Sequence, residues 1–331
     1  MENNNILVSI SCITYNQEYY ISRALDSFLM QKTNFEYEIL IHDDASTDRT
    51  AEIIKEYEEK YPYIIKPIYQ SVNQYSKGVK IGKLNDNRAL GKYIASCEGD
   101  DYWIDSHKLQ KQVNYMELHT DCSLCVHAAN TVDYNGKQTG YRIRPNIGNR
   151  KYTFEDMLVA GGGLFATNSM LYRVELIENL PDFYYSAPVG DYPLQIYLSL
   201  LGEVYYLDEV MSAYRINAIN SWTNEIVFND FRIIEHTKRI IFMFNEINKF
   251  TKGKYSYTIG QCILVNMLYI SLIKNDKVKI KGIRSQINIK LFGTNYKRLY
   301  LYSKIPLIYR TARKLKLNLL KVKVKKSNKL R

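Results

Sequence analysis

Apolar positions along the first hundred residues alternate between two rhythms. Ile6-Leu7-Val8-Ser9-Ile10-Ser11-Cys12-Ile13 is a short, mostly apolar run, the pattern of a buried strand. Thr14-Tyr15-Asn16-Gln17-Glu18 follows as a polar loop, and Ile21, Ala24, Leu25 and Phe28 then fall at helical spacing. Tyr37 to Ile41 reads as a second strand. Ile53, Ile54 and Tyr57 mark a helix with Asp48 at its N-cap, and Ile64 to Tyr69 a third strand. The run Tyr93-Ile94-Ala95-Ser96-Cys97 reads as a fourth and stops at Glu98-Gly99-Asp100-Asp101. Strand and helix alternating at this spacing predict an α/β domain, a mainly parallel sheet with helices on both faces.

Further along, Leu109, Val113 and Met116 mark a helix, Ser123 to Ala129 a strand, and Tyr134-Asn135-Gly136-Lys137 a hairpin turn. A short helix is expected from Thr153-Phe154, a strand over Asn168 to Tyr172, and an apolar helix opening at Asp191-Tyr192-Pro193. Glu203 to Leu207 and Val210 to Ile216 read as two short strands of a smaller β element. From about Glu225 the period becomes helical throughout, with Ile226, Ile233, Ile240 and Phe244 on one long helix and Ile259 to Leu272 on another. The expected divisions are 1–222, an α/β domain; 223–303, a helical extension; and 304–331, a tail.

Ligands of parallel sheets bind beyond the carboxyl ends of the strands. Three strand ends carry Tyr15-Asn16, Asp43-Asp44 and Asp100-Asp101. On one sheet edge, an aromatic ring can stack on a base, one carboxylate can accept from a base N–H, and another can hold a divalent cation on phosphates. No G-x-G-x-x-G follows the first strand and no G-x-x-x-x-G-K-[ST] occurs, which argues against dinucleotide dehydrogenases and P-loop enzymes. Asp191, ahead of Tyr192-Pro193 and a helix, has the position of an N-cap as well as of a free carboxylate. The five histidines form no metal-ligand spacing, and Gly161-Gly162-Gly163 reads as a hinge.

The set of motifs, in order, resembles the family 2 glycosyltransferases of the GT-A fold over roughly residues 6–222. It consists of Thr14-Tyr15-Asn16, Ile41-His42-Asp43-Asp44-Ala45-Ser46-Thr47-Asp48-Arg49-Thr50, Glu98-Gly99-Asp100-Asp101-Tyr102-Trp103 with Lys108-Leu109-Gln110, Gly190-Asp191-Tyr192-Pro193-Leu194, and Tyr214-Arg215-Ile216-Asn217. The resemblance implies an inverting enzyme that moves one sugar from a nucleotide diphosphate donor. By position it implies Tyr15 near the base, Asp44 on its ring N–H with Asp43 beside it, Arg88 facing the donor, and Asp100 near the ribose. It further implies Asp101 on a Mn2+ or Mg2+ ion, supported by Glu98 and Asn217, and Asp191 as catalytic base. Related sequences often carry histidine where Asn217 stands, and an amide oxygen is the weaker metal ligand. The other class of function the sequence allows is a non-catalytic sugar-nucleotide-binding or scaffold protein that retains the fold.

The 331 residues hold 45 Lys and Arg against 34 Asp and Glu, and 46% are hydrophobic, the composition of a globular chain with a sizeable core. From Lys304 onward there are eleven basic residues and no acid, so the remainder balances. Ile308, Ala312, Leu315, Leu319 and Val322 fall at helical spacing among the lysines, whereas Lys321 to Lys325 alternates like a strand. Such a tail suits an anionic membrane surface and an acceptor that is a saccharide or lipid-linked; no nucleic-acid module accompanies it. An odd cysteine count in apolar runs, a polar Met1-Glu2-Asn3-Asn4-Asn5 start, and no uninterrupted run of 18 apolar residues predict a cytoplasmic protein with free thiols and a peripheral place at the membrane.

Overall fold

The computed structural model describes residues 6–218, 229–306, 308–309, 311–315 and 317. The chain forms two compact units. The first comprises residues up to 153 together with 163–180 and 197–218; the second comprises 154–162, 181–196 and the residues from 219 onward.

The first unit is built on a mixed sheet of ten strands. In chain order its elements are β1 (Ile6–Thr14), α1 (Ile21–Leu29), β2 (Glu36–Asp43), α2 (Thr50–Lys60), β3 (Ile65–Tyr69), α3 (Ile81–Asp86), β4 (Tyr93–Ser96), β5 (Tyr102–Trp103), α4 (Lys108–Leu118), β6 (Cys122–Val132), β7 (Gln138–Ile143) and β8 (Arg150–Tyr152). After the second unit's α5 (Phe154–Ala160) come β9 (Leu171–Arg173), then α6 (Asp182–Ser186) in the second unit, α7 (Asp191–Leu201) and β10 (Glu203–Arg215). The sheet order is β3-β2-β1-β4-β9-β6-β10-β5, with β7 on β6 and β8 on β10. β3, β2, β1 and β4 are parallel, as the strand–helix alternation predicts. β9 runs antiparallel to both β4 and β6 and joins this half to a second parallel pair, β6 and β10.

Residues 203–216 do not form two strands of a separate element. They are one 13-residue strand of the main sheet, interrupted by register shifts between Leu207 and Val210 and between Val210 and Ser212. Asp208 and Glu209 break the apolar pattern there, and the irregular pairing accommodates them without ending the strand. The hairpin turn falls where expected, with Gly136 at φ 83° and the Asp133 carboxylate accepting from the N–H groups of Asn135 and Lys137 at 3.0 Å. Asp48 holds the start of α2 from one residue ahead of the cap position, which is Arg49: its Oδ1 accepts from the Thr50 N–H at 2.9 Å. The core lies where α1 and α4 cover the sheet; Phe28 of α1 packs on Trp103 at 4.9 Å between ring centroids.

The second unit is helical. α8 (Asp230–Phe250), capped by the Asn229 side chain, packs on α9 (Ser256–Lys274), which in turn packs on α10 (Lys277–Arg284); α11 (Thr294–Tyr302) follows. Ile226 and residues 318–331, including Leu319, Val322 and the Lys321–Lys325 alternation, lie outside the described residues. α9, with mean hydropathy 1.4 over an 18-residue window, is long and apolar enough to cross a membrane by length and composition, although no uninterrupted apolar run marks it in the sequence. It buries Ile259, Cys262, Val265, Leu268 and Leu272 inside the unit, and Thr258 donates to Glu155 of α5.

Candidate active site

The loops after β1 and β2 are joined to each other. The Asn16 N–H donates to Ser46 Oγ at 2.9 Å, and Asn16 Oδ1 accepts from the Thr47 N–H at 2.7 Å. The N–H groups of Gln17 and Glu18 donate to Thr50 Oγ1 and Asp48 Oδ2, and the Arg49 N–H returns a bond to Glu18. Asn16 and Ala45 both adopt left-handed φ, 53° and 64°. Asparagine tolerates that conformation; alanine does so at a steric cost of about 1–2 kcal/mol. Tyr15 stands on this framework with 43% of its surface exposed.

Asp43 and Asp44 are both buried and already engaged. Asp43 accepts from the Ser46 hydroxyl and from its N–H. Asp44 accepts from the N–H groups of Gln74 and Tyr75 at 2.7 and 3.0 Å, with His42 Nε2 at 3.5 Å, so it also anchors the segment leading into α3. Burial, with the Asp44 pairing opposing it, lowers the pKa of His42. Arg88 is partly exposed and donates to the Ile41 carbonyl at 3.0 Å and to Asn85 Oδ1 at 2.9 Å, and burial lowers its pKa. Asn85 reaches the carbonyls of Cys12 and Leu40, so the pair ties down the ends of β1 and β2.

The acidic turn closes over the end of β1. The N–H groups of Cys97 and Gly99 donate to Ser11 and Ile13, and the Asp101 N–H donates to Glu98, all at 3.0 Å. A Cβ on Gly99 would lie 2.5 Å from Gln17 Oε1 and 2.9 Å from Thr14 Oγ1, so a side chain there would displace the Thr14–Gln17 pair. Glu98 and Asp100 are partly exposed, whereas Asp101 is 2% exposed. Asp101 Oδ1 accepts from the Arg215 N–H at 2.6 Å and Oδ2 from Asn168 Nδ2 at 2.9 Å. Burial and the neighbouring Asp100 push its pKa well up, and burial also raises Asp100 against the lowering effect of Arg215.

Each Asp101 oxygen thus accepts from one buried donor, which fixes the carboxylate at the turn and leaves each oxygen a second lone pair. Among the described residues no ready-made group of three or more His, Cys, Asp or Glu could hold a metal ion. Asp101 with the partly exposed Glu98 still fits a Mg2+-type ion, which is commonly bound by one or two carboxylates plus substrate phosphates.

Residues from distant elements lock the turn. Asn168, fully buried, also donates to the Ala213 carbonyl and accepts from Ser212, and its own carbonyl accepts from Trp103 Nε1 at 2.9 Å. The Lys108 amine, fully buried and without a hydrogen-bond partner, lies 4.0 Å from the Trp103 ring centroid; burial brings its pKa down to about 7. The Arg215 guanidinium donates to the carbonyls of Asp100, Asp133 and Tyr134 and stacks over Tyr20 at 4.3 Å. Asn217, at φ 58°, follows two residues on. The sequence gives no signal for Asn168, whose partners lie 44 to 67 residues away.

Asp191 belongs to the second unit and starts α7, where its Oδ1 accepts from the Tyr192 N–H at 2.8 Å. It is partly exposed. Tyr192 reaches back to the Leu158 carbonyl and packs on Phe244.

Residues 9–180 match the family model described as Glycosyl transferase family 2. The chain belongs to this family. An uncharacterised protein of Mycobacterium tuberculosis is 38% identical over 221 residues, 65% of this chain and 60% of the relative; the chain thus spans less than two thirds of that family member's length. The glycosyltransferase WfaP of Escherichia coli, named as a UDP-Glc:alpha-D-GlcNAc-diphosphoundecaprenol beta-1,3-glucosyltransferase, is 37% identical over 115 residues, 34% of this chain and 41% of the relative. Two solved structures share the fold. TarS of S. aureus (residues 1–349), in complex with UDP-GlcNAc, gives a TM-score of 0.52 at 16% identity, covering 91% of this chain and 88% of that one. The mannosyltransferase PcManGT of Pyrobaculum calidifontis, with GDP-Man and Mn2+, gives 0.56 at 13% identity, covering 98% and 87%. The α/β fold with its helical C-terminal region is thus that of the GT-A glycosyltransferases.

Proposed function

We propose that this chain transfers a sugar, with inversion, from a nucleoside diphosphate sugar to a hydroxyl of a saccharide or lipid-linked acceptor during cell-surface polysaccharide assembly, at the cytoplasmic face of the membrane. The observation that carries the reading is the meeting of three loops, 14–18, 43–50 and 98–101, at the carboxyl ends of β1, β2 and β4. The name of the E. coli relative supports a UDP-sugar and a lipid-linked acceptor as first choices.

In this reading the Tyr15 ring stacks on the base. Asp43 and Asp44 keep lone pairs for a base N–H, since a carboxylate offers about four acceptor sites. Asp100 lies toward the ribose; Asp101, held in place by its bonds to Arg215 and Asn168, would hold Mn2+ or Mg2+ with support from Glu98 and the amide oxygen of Asn217. The cation supplies neutralising charge on the departing diphosphate. Asp191 takes the proton of the acceptor hydroxyl as that oxygen bonds to the anomeric carbon. The bond to the diphosphate oxygen breaks, and its electron pair leaves with the nucleoside diphosphate.

The test is a panel of nucleotide sugars in thermal shift with and without Mn2+, followed by release of nucleoside diphosphate with acceptor. The right donor raises the melting temperature by mass action. A chain stabilised by no member of the panel overturns the proposal, and donor binding without turnover favours the non-catalytic alternative.

A further inference from the structure

After Asp276 the sequence holds eighteen Lys and Arg and no Asp or Glu, leaving 27 basic against 34 acidic residues up to and including Asp276. The basic bias therefore begins well ahead of the tail, in helices that the structure describes. α10 buries Ile280 and Ile283 and leaves Lys277, Val278 and Lys281 exposed, Val278 by 83%. In α11 and the described residues that follow it, Leu301, Ile305, Ile308 and Leu315 are each more than half exposed. Leu301 and Ile305 flank the turn between the two helices, while Ile308 and Leu315, seven apart, share one helix face. Lys297, Arg298, Lys304 and Lys314 are exposed among them. Arg284 and Arg313 are engaged within the unit, on the Ser303 carbonyl and on Asp230.

We infer that this surface docks on an anionic lipid bilayer. Charge and apolar exposure together select the occupant. A second copy would set one strongly basic surface against another. A nucleic acid would neutralise the lysines but leave Leu301, Ile305 and Ile308 without apolar partners. The interface of an anionic bilayer offers negative head groups beside acyl chains, which matches both. The inference deepens the membrane placement of the proposed function by naming the docking surface, and does not rest on the transfer reaction; donor hydrolysis in solution, measured in parallel, keeps the two apart.

The test is flotation of the full chain with vesicles of phosphatidylcholine alone and of phosphatidylcholine mixed with phosphatidylglycerol. The chain is expected to float only with the mixed vesicles, and less as salt rises. The variant Lys297→Glu/Arg298→Glu/Lys304→Glu should bind them on the order of 100-fold more weakly. Leu301→Ser/Ile308→Ser should lose about tenfold or more. Both variants should keep the melting temperature, because the substituted side chains are exposed. No flotation, equal flotation with neutral vesicles, unchanged flotation of either variant, or displacement of the chain from vesicles by random duplex DNA would each overturn the inference.

Discussion

Asp101 accepts a 2.6 Å hydrogen bond from the backbone N–H of Arg215, a residue 114 positions later in the chain. Together with the Asn168 amide on its other oxygen, this bond makes Asp101 part of the scaffold and leaves its neighbours Glu98 and Asp100 at the surface. Asp101→Ala is therefore expected to destabilise the first unit by about 2–4 kcal/mol, since two buried donors lose their acceptor. Asp100→Asn should unfold like wild type in urea and bind the donor more weakly. Equal urea midpoints for wild type and Asp101→Ala would contradict the scaffold role of Asp101.

Asp191→Asn preserves the size of the side chain and its hydrogen bond from the Tyr192 N–H, but removes the carboxylate proposed as base. Transfer should fall about 10²–10⁴-fold while donor binding is kept. Wild-type transfer by this variant would remove the assignment.

Gly91 lies against the backbone of β1. A Cβ there would sit 2.6 Å from the Ser9 nitrogen and 2.7 Å from the Val8 carbonyl carbon, in a strand paired on both sides. β1 cannot yield without disturbing β2 and β4. Gly91→Ala should cost about 3 kcal/mol in chemical denaturation. Gly82, which has nothing within 4 Å of the same probe position, should accept alanine without loss.

Asp86 gives a pH signature. Burial, against the lowering effects of Lys83 and the Tyr172 hydroxyl, raises its pKa to about 7 in the folded chain, from an ordinary 3.8. Between those values the folded state binds the extra proton, so this contribution to stability is complete at acid pH and is lost as pH rises through about 7. Asp86→Asn should flatten the dependence and raise stability above neutral pH by about 2–4 kcal/mol. An unchanged slope in urea titrations across this range would show that Asp86 ionises normally.

The parallel half of the sheet was legible because β1, β2 and β4 are buried on both faces and so read as continuous apolar runs ending at polar loops. β10 was not, because Asp208 and Glu209 interrupt its pattern, and the pairing with β6 that bridges the interruption involves residues some eighty positions earlier. The same limit governs the acids. Composition and spacing place Asp43, Asp44, Asp100 and Asp101 at strand ends but do not say which oxygens are already bonded. The partners that decide this, Gln74 and Tyr75 for Asp44, Asn168 and Arg215 for Asp101, are remote in sequence and unremarkable in type. The same holds for Arg88, whose bonds to the Ile41 carbonyl and Asn85 have no mark in the spacing.

The sheet order has a temporal side. β10 lies between β6 and β5, so the strand that directly follows the acidic turn has no neighbour until residues 203–215 exist. A chain emerging from the ribosome would carry its first four strands for the time needed to make another hundred residues before the turn at 98–101 could be fixed. Contacts of such long sequence separation form late. The ends of β1 and β2 can thus be shaped early, whereas the acidic turn waits for the last strand, and truncations ending before Arg215 should fold their first half and remain inert.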